Sequence, residues 1–146
     1  MEVGAILEPL SVAMHGSRRA ALKPDSTVLI FGAGAVGLLC AAMAKVDKAR
    51  TVIIADIQAE RVDFAIKNKF ADAGVMVPLR KCPTIEEKLA FAKEVAGMVA
   101  NTKVLGKGDG DVVGGVDAVF ECTGVESCLQ AAIYVSILLI RFFKIC

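Results

Sequence analysis

The chain has 146 residues, 55% of them hydrophobic and 23% charged, and a formal net charge of +1. That length suits one domain with a substantial core, and the balanced charge leaves no basic footprint for nucleic acid and no acidic tail. Five cysteines without a Cys-x-x-Cys pair, together with a single histidine, His15, cannot build the common zinc spacings and fit free thiols in a reducing compartment.

The opening "MEVGAILEPL" has an acid at its second position and no cationic start, unlike a signal peptide. Ile6, Leu10, Ala13, Met14 and Ala21 recur at a loose helical period over residues 6–22, which ends before Lys23-Pro24. "KPDS" is turn chemistry, and Thr27–Phe31 then reads as a short strand. The cluster Gly32-Ala-Gly-Ala-Val-Gly37 follows, and a helix runs from it to about Ala44. "TVIIAD", Thr51–Asp56, is apolar on both faces, as buried parallel strands are. A helix over residues 58–69 and a third strand, "GVMVPL", come next. Thr84 and Glu87 form a capping box for a helix reaching Ala100, with Ile85, Leu89, Ala92, Ala96 and Val99 on one face. "GKGDGDVVGG" reads as a flexible surface loop. "VDAVFECTG" reads as a fourth strand ending in a turn, and a helix follows over about Val125–Ile133. The apolar run Ile133–Ile140 includes Tyr134 and Ser136 and is far shorter than the roughly 20 residues of a membrane helix. Alternating strands and helices predict an α/β fold with a doubly wound parallel sheet, cytoplasmic and without nucleic-acid or membrane partners.

A Gly-x-Gly-x-x-Gly cluster alone is weak evidence, because glycines also mark ordinary turns. Its setting strengthens it. Gly32 directly follows a buried strand, where the chain must bend through torsions cheap only for glycine. Gly34 lacks a side chain where a backbone would approach a pyrophosphate, and Gly37 lets the new helix lie close to the strand. The helix aims unpaired N–H groups at the phosphates. Asp56 ends the second strand, where a carboxylate accepts the adenosine ribose hydroxyls and repels a 2′-phosphate. These features point to a dinucleotide, NAD rather than NADP. Arg61 reads equally as a ribose neighbour and as a plain surface residue. Two rivals fit poorly: a methyltransferase would carry an acid where Ile30 stands, and a short-chain dehydrogenase would carry a lysine where Leu138 follows Tyr134.

The segments "GAILEPLSVAMHGSRRA", "VLIFGAGAVGLLCAAMAK", "ADIQAERVDFA" and "VDAVFECTGVESCLQAAIY" together resemble the zinc-containing medium-chain dehydrogenases, in particular their polyol branch of sorbitol and xylitol dehydrogenases. The resemblance spans about Gly4–Tyr134. It implies a Rossmann fold in which Gly32, Gly34, Val36 and Gly37 cradle the pyrophosphate. Asp56 and Arg61 would hold the ribose, and Cys122, Thr123 and Gly124 would face the cofactor's far side. It also implies that Glu8 of "EPLSV" stands at a catalytic zinc, as a ligand or beside its water. By itself a glutamate before Pro9 reads as a helix-start charge. The implied reaction moves a hydride from a secondary alcohol carbon of a polyol onto NAD, with zinc steadying the alkoxide.

The same resemblance predicts an incomplete fold, with most of a GroES-like catalytic domain and its other zinc ligands absent, so that zinc is not bound by this chain alone. Residues 1–23 would be a remnant linking helix, 24–134 the NAD-binding Rossmann domain, and 135–146 a divergent hydrophobic tail. Where the family has an Arg-Pro-Gly-Gly-like turn, this chain reads "VSILLIRFFKIC". Two readings of that tail stay open, a misread gene model and a replacement fifth strand, for which its β-branched content is suited. The expected function is the cofactor-binding part of a polyol dehydrogenase, inactive as this chain. The alternatives are a non-catalytic nucleotide-binding or homo-oligomer-forming module and a chain that does not fold stably.

Overall fold

A computed structural model describes the backbone of residues 2–104 and 113–144, and the side chains of residues 4–104 and 113–135. The glycine-rich segment read as a flexible loop lies mostly outside these described residues. The elements in chain order are helix α1 (Glu2–Ala20), strand β1 (Thr27–Phe31), α2 (Ala35–Val46), β2 (Thr51–Asp56), α3 (Ala59–Lys67), β3 (Ala73–Met76), α4 (Ile85–Ala100), β4 (Val116–Glu121), α5 (Glu126–Val135) and β5 (Ser136–Lys144).

All five strands are parallel and stand in the order β3-β2-β1-β4-β5. The order reverses between β1 and β4, which makes the carboxyl ends of these two strands the switch point where open α/β sheets bind ligands. β1 is buried along its whole length and pairs in register with β2, from Thr27 opposite Thr51 to Phe31 opposite Ala55. Alternate residues of β1 serve opposite faces. Leu29 and Phe31 join Phe91, Val95 and Val99 of α4 in one core, while Val28 and Ile30 join Ala13 of α1 and Cys40, Ala41 and Ala44 of α2 in the other. Each fully buried large side chain contributes roughly 1.5–3 kcal/mol, so the continuous apolar runs of β1 and β2 find cover on both faces.

Residues 136–144 of the tail, one reading of which is a replacement fifth strand, form a strand here. β5 directly follows α5 and lies parallel to β4, with a register irregularity between the pairs Val116–Ser136 and Ala118–Arg141. The face expected for α4 needs correction. Ile85 is 73% exposed and Leu89 sits at the margin, whereas Phe91, Ala92, Val95, Ala96 and Val99 are buried. The first turn of α4 projects beyond the layer that α5 and the sheet can cover. The capping box itself is present, with Thr84 Oγ1 accepting from Glu87 N–H and the Glu87 carboxylate accepting from Thr84 N–H. On α1, Ile6 is half exposed, and the helix is held by Ala13, Ala20 and Ser17, whose hydroxyl donates to Asp47. Pro9 lies inside α1. No helix among the described residues is long and apolar enough to cross a membrane.

Candidate functional site

At the end of β1 the chain turns through Gly32, whose φ is +98°, a torsion that side-chain-bearing residues rarely adopt. Gly32 N–H donates to the Ala55 carbonyl at 2.7 Å, tying the turn to β2. α2 then starts from Gly34, which provides no side chain to cap it. A Cβ on Gly37 would lie 1.9 Å from the Gly32 carbonyl oxygen, so the helix approaches the strand at a distance that only glycine permits. A Cβ on Gly34 would meet nothing within 4 Å. The start of α2 thus has open space beside Gly34, no side-chain cap and no acidic side chain in its first turn to compete for its amides at the positive helix end.

Asp56, the last residue of β2, is 8% exposed. One carboxylate oxygen accepts Ala33 N–H at 2.7 Å and the other accepts Gln58 N–H at 2.9 Å. The acid thus ties the glycine turn to the start of the next helix, a structural duty that strand position alone did not reveal. An ionised carboxylate offers about four lone-pair sites, so two remain for a diol. α3 begins directly beyond this acid and carries Arg61, exposed, in its first turn.

The opposite wall is the end of β4. Cys122 N–H donates to the Phe31 carbonyl at 2.9 Å and so extends the pairing of β4 with β1. Cys122 and Thr123 lie directly against Gly32, where an added Cβ would come within 3.1 Å of Thr123 Cγ2 and 3.2 Å of the Cys122 carbonyl oxygen. The buried Glu121 organises this turn. Its Oε1 accepts Thr123 N–H at 2.6 Å, Gly124 N–H at 3.0 Å and the Thr123 hydroxyl, while Thr123 Oγ1 accepts Val125 N–H at 3.0 Å. Sequence reasoning had passed over Glu121. Its signal was an acid closing an otherwise apolar strand just before Thr-Gly, where a side-chain oxygen can serve local amides. Cys128 of α5 faces the same wall. Burial pushes its thiol above the usual range against an opposing hydrogen bond from Thr123, and the charges of Glu121 and Asp56 add to the rise.

The structure therefore gathers Gly32, Gly34, Gly37, Asp56, Cys122, Thr123 and Gly124 at one edge, with Val36 half-buried behind the helix start. Glu8 is not part of that gathering. It is exposed on α1, and its backbone carbonyl accepts the Ser11 hydroxyl. No group of three His, Cys, Asp or Glu side chains among the described residues is placed to hold a metal. These residues suit a dinucleotide, by the open cradle at Gly34, and do not make up a zinc donor set.

No protein-family model matches the chain. Known proteins do. A protein of Arthroderma otae named "Probable D-xylulose reductase A" is 41% identical over 133 residues, which are 91% of this chain and 32% of that protein. The D-xylulose reductase A of Aspergillus niger is 37% identical over 135 residues, 92% of this chain and 33% of the relative. Over these stretches the chain resembles a zinc-containing medium-chain dehydrogenase of the polyol branch. It spans about a third of the length of the curated relatives it matches. Among solved structures, a zinc-binding dehydrogenase of Sinorhizobium meliloti, bound to NADP, superposes with a TM-score of 0.64 at 30% identity over 88% of this chain and 32% of its own. The 2R,3R-butanediol dehydrogenase of Bacillus subtilis superposes with a TM-score of 0.59 at 26% identity, over 97% of this chain and 36% of its own. The fold is accordingly the α/β Rossmann arrangement, matched over part of these longer chains.

Proposed function

We propose that this chain is the nucleotide-binding part of an NAD-dependent, zinc-containing polyol dehydrogenase, and that it does not turn over sorbitol or xylitol by itself. One observation carries the reading: the open, uncapped start of α2 at Gly34 lies between the Asp56 carboxylate and the turn formed by Cys122, Thr123 and Gly124. The likeness to D-xylulose reductases supports the polyol class, and the NADP-bound relative supports a nicotinamide cofactor. Asp56 favours NAD, because a buried carboxylate repels a 2′-phosphate. A nicotinamide cofactor held here would supply hydride-acceptor chemistry for a secondary alcohol in a complete enzyme.

In this reading the first amides of α2 bind the diphosphate, and Gly34 leaves room for it. Asp56 holds the Ala33 amide and accepts ribose hydroxyls through its remaining lone pairs. Arg61 lies beside the ribose from the first turn of α3. Glu121 keeps the 122–124 turn against Gly32, so that the nicotinamide half rests on a fixed wall. Glu8, exposed on α1, has no further metal donors grouped around it among the described residues. Among the described residues Cys40, Cys82, Cys122 and Cys128 form no disulfide, the thiol state that a reducing compartment such as the cytoplasm maintains.

The test is a fluorescence titration of the purified chain with NADH and with NADPH, alongside turnover assays on sorbitol, xylitol and D-xylulose with zinc added. NADH should bind more tightly than NADPH, with no turnover. Absence of NADH binding would remove the cofactor reading, and turnover would remove the inactivity.

A further inference from the structure

The sulfur atoms of Cys40 and Cys122 lie 4.0 Å apart, although the two residues are 82 positions apart in sequence. Cys40 is 1% exposed on the sheet-facing side of α2, and Cys122 is half-buried at the tip of β4. We propose that Cys40 and Cys122 form a reversible disulfide under hydrogen peroxide, tying α2 to the wall of the nucleotide cradle. A disulfide needs sulfurs about 2.05 Å apart, so side-chain rotation and a small shift of the β4 tip complete the approach.

Accessibility divides the roles. In this proposal Cys122, the less buried of the two, has the first encounter with peroxide. The Cys122 thiolate attacks one peroxide oxygen, the O–O bond breaks, and the departing hydroxide leaves as water after taking a proton. Cys122 is then a sulfenic acid. Cys40 next attacks that sulfur, the S–S bond forms, the S–O bond breaks, and a second water leaves. Two thiols and one peroxide thus become one disulfide and two waters. In the reduced chain Cys40 accepts the Cys122 S–H hydrogen bond, which lowers the Cys40 pKa against burial. That bond ends when Cys122 is oxidised, and the 4.0 Å approach of the two sulfurs is what positions Cys40 for the closing attack. Cys128, the other thiol near this wall, is held in its neutral form by burial and by the opposing charges already described.

The bridge would shift the 122–124 turn at the wall of the cradle, and its effect on NADH binding rests on the cofactor reading above. The chemistry of the bridge does not. The full chain, reduced and then exposed to hydrogen peroxide, is alkylated with iodoacetamide, digested without reductant and read by mass spectrometry. Peptides bearing Cys40 and Cys122 should appear joined, two hydrogens lighter than their sum, and should separate in dithiothreitol. Dimedone, which traps sulfenic acids, should label Cys122 in Cys40→Ala and spare it in the parent chain. A bridge from Cys122 to Cys128, or equal dimedone labelling of both chains, overturns the proposal. The bridged chain should bind NADH several-fold more weakly than the reduced chain and recover in dithiothreitol, and equal affinities overturn the link to the site. A reduced chain that binds no NADH sinks the cofactor reading, while the joined peptides still decide the bridge.

Discussion

Gly34 and Gly37 belong to the same turn and will respond in opposite ways to one added methyl group. At Gly37 that methyl meets a backbone carbonyl at 1.9 Å that cannot step aside. Gly37→Ala should therefore cost about 3 kcal/mol, the upper part of the usual overpacking range, and lower the Tm by roughly 6–12 °C. At Gly34 the methyl enters open space, and the backbone, at φ −79°, accepts any residue. Gly34→Ala should keep the Tm within a degree or two, on the scale of roughly 0.5 kcal/mol, while NADH binding falls several-fold in titration. A Tm loss at Gly34 or a neutral Gly37 would contradict this geometry. Asp56→Ser removes a carboxylate that serves two backbone amides and, in the proposed complex, the ribose. NADH binding should weaken by about 1–2 kcal/mol, the scale of lost charged hydrogen bonds. The preference over NADPH should shrink, and the Tm measured without cofactor should fall as well. An unchanged Kd would take Asp56 out of the site. The Asp56 acid was legible because its place, at the end of the strand after a glycine turn, has a chemical reason. Glu121 was not, because its partners are amides of its own turn, and only the folded turn shows that it curls back onto them.

At the scale of elements, local signals and packing signals separate. The cap of α4 depends on residues close in sequence, Thr84 and Glu87, and the expected reciprocal bonds are formed. Thr84→Ala should cost about 1 kcal/mol, measurable as a lower urea midpoint with an unchanged slope; no change would mean that this exposed helix start frays in solution. The buried face of the same helix was legible only in part. Several registers of apolar residues fit one helical period, and the packing of α5 and the sheet selects Phe91 and Val95 over Ile85. Arg80, whose guanidinium lies 5.3 Å from the centre of the Phe91 ring, covers the end of that face. Strand bounds were easier. β1 and β2 run as read, Thr27–Phe31 and Thr51–Asp56, because unbroken β-branched and apolar runs between turn residues permit few other arrangements.

For the whole molecule, β5 is the element with most at stake. It covers the side of β4 that would otherwise expose unpaired amides and carbonyls. Removing residues 136–146 should lower the Tm by several degrees and produce concentration-dependent association in size-exclusion chromatography. A monomer that melts as before would show that β4 is stable as an edge. The amino-acid sequence by itself determined the alternation of strands and helices, the phosphate-type turn and the acid at the end of the second strand, since each follows from steric or hydrogen-bonding needs satisfied within a few residues. Tertiary structure alone decided three matters: that the tail pairs with β4, that Glu121 holds the facing turn, and that Cys40 meets Cys122. Those depend on segments distant along the chain that the order of strands brings side by side, and no local pattern encodes such a meeting.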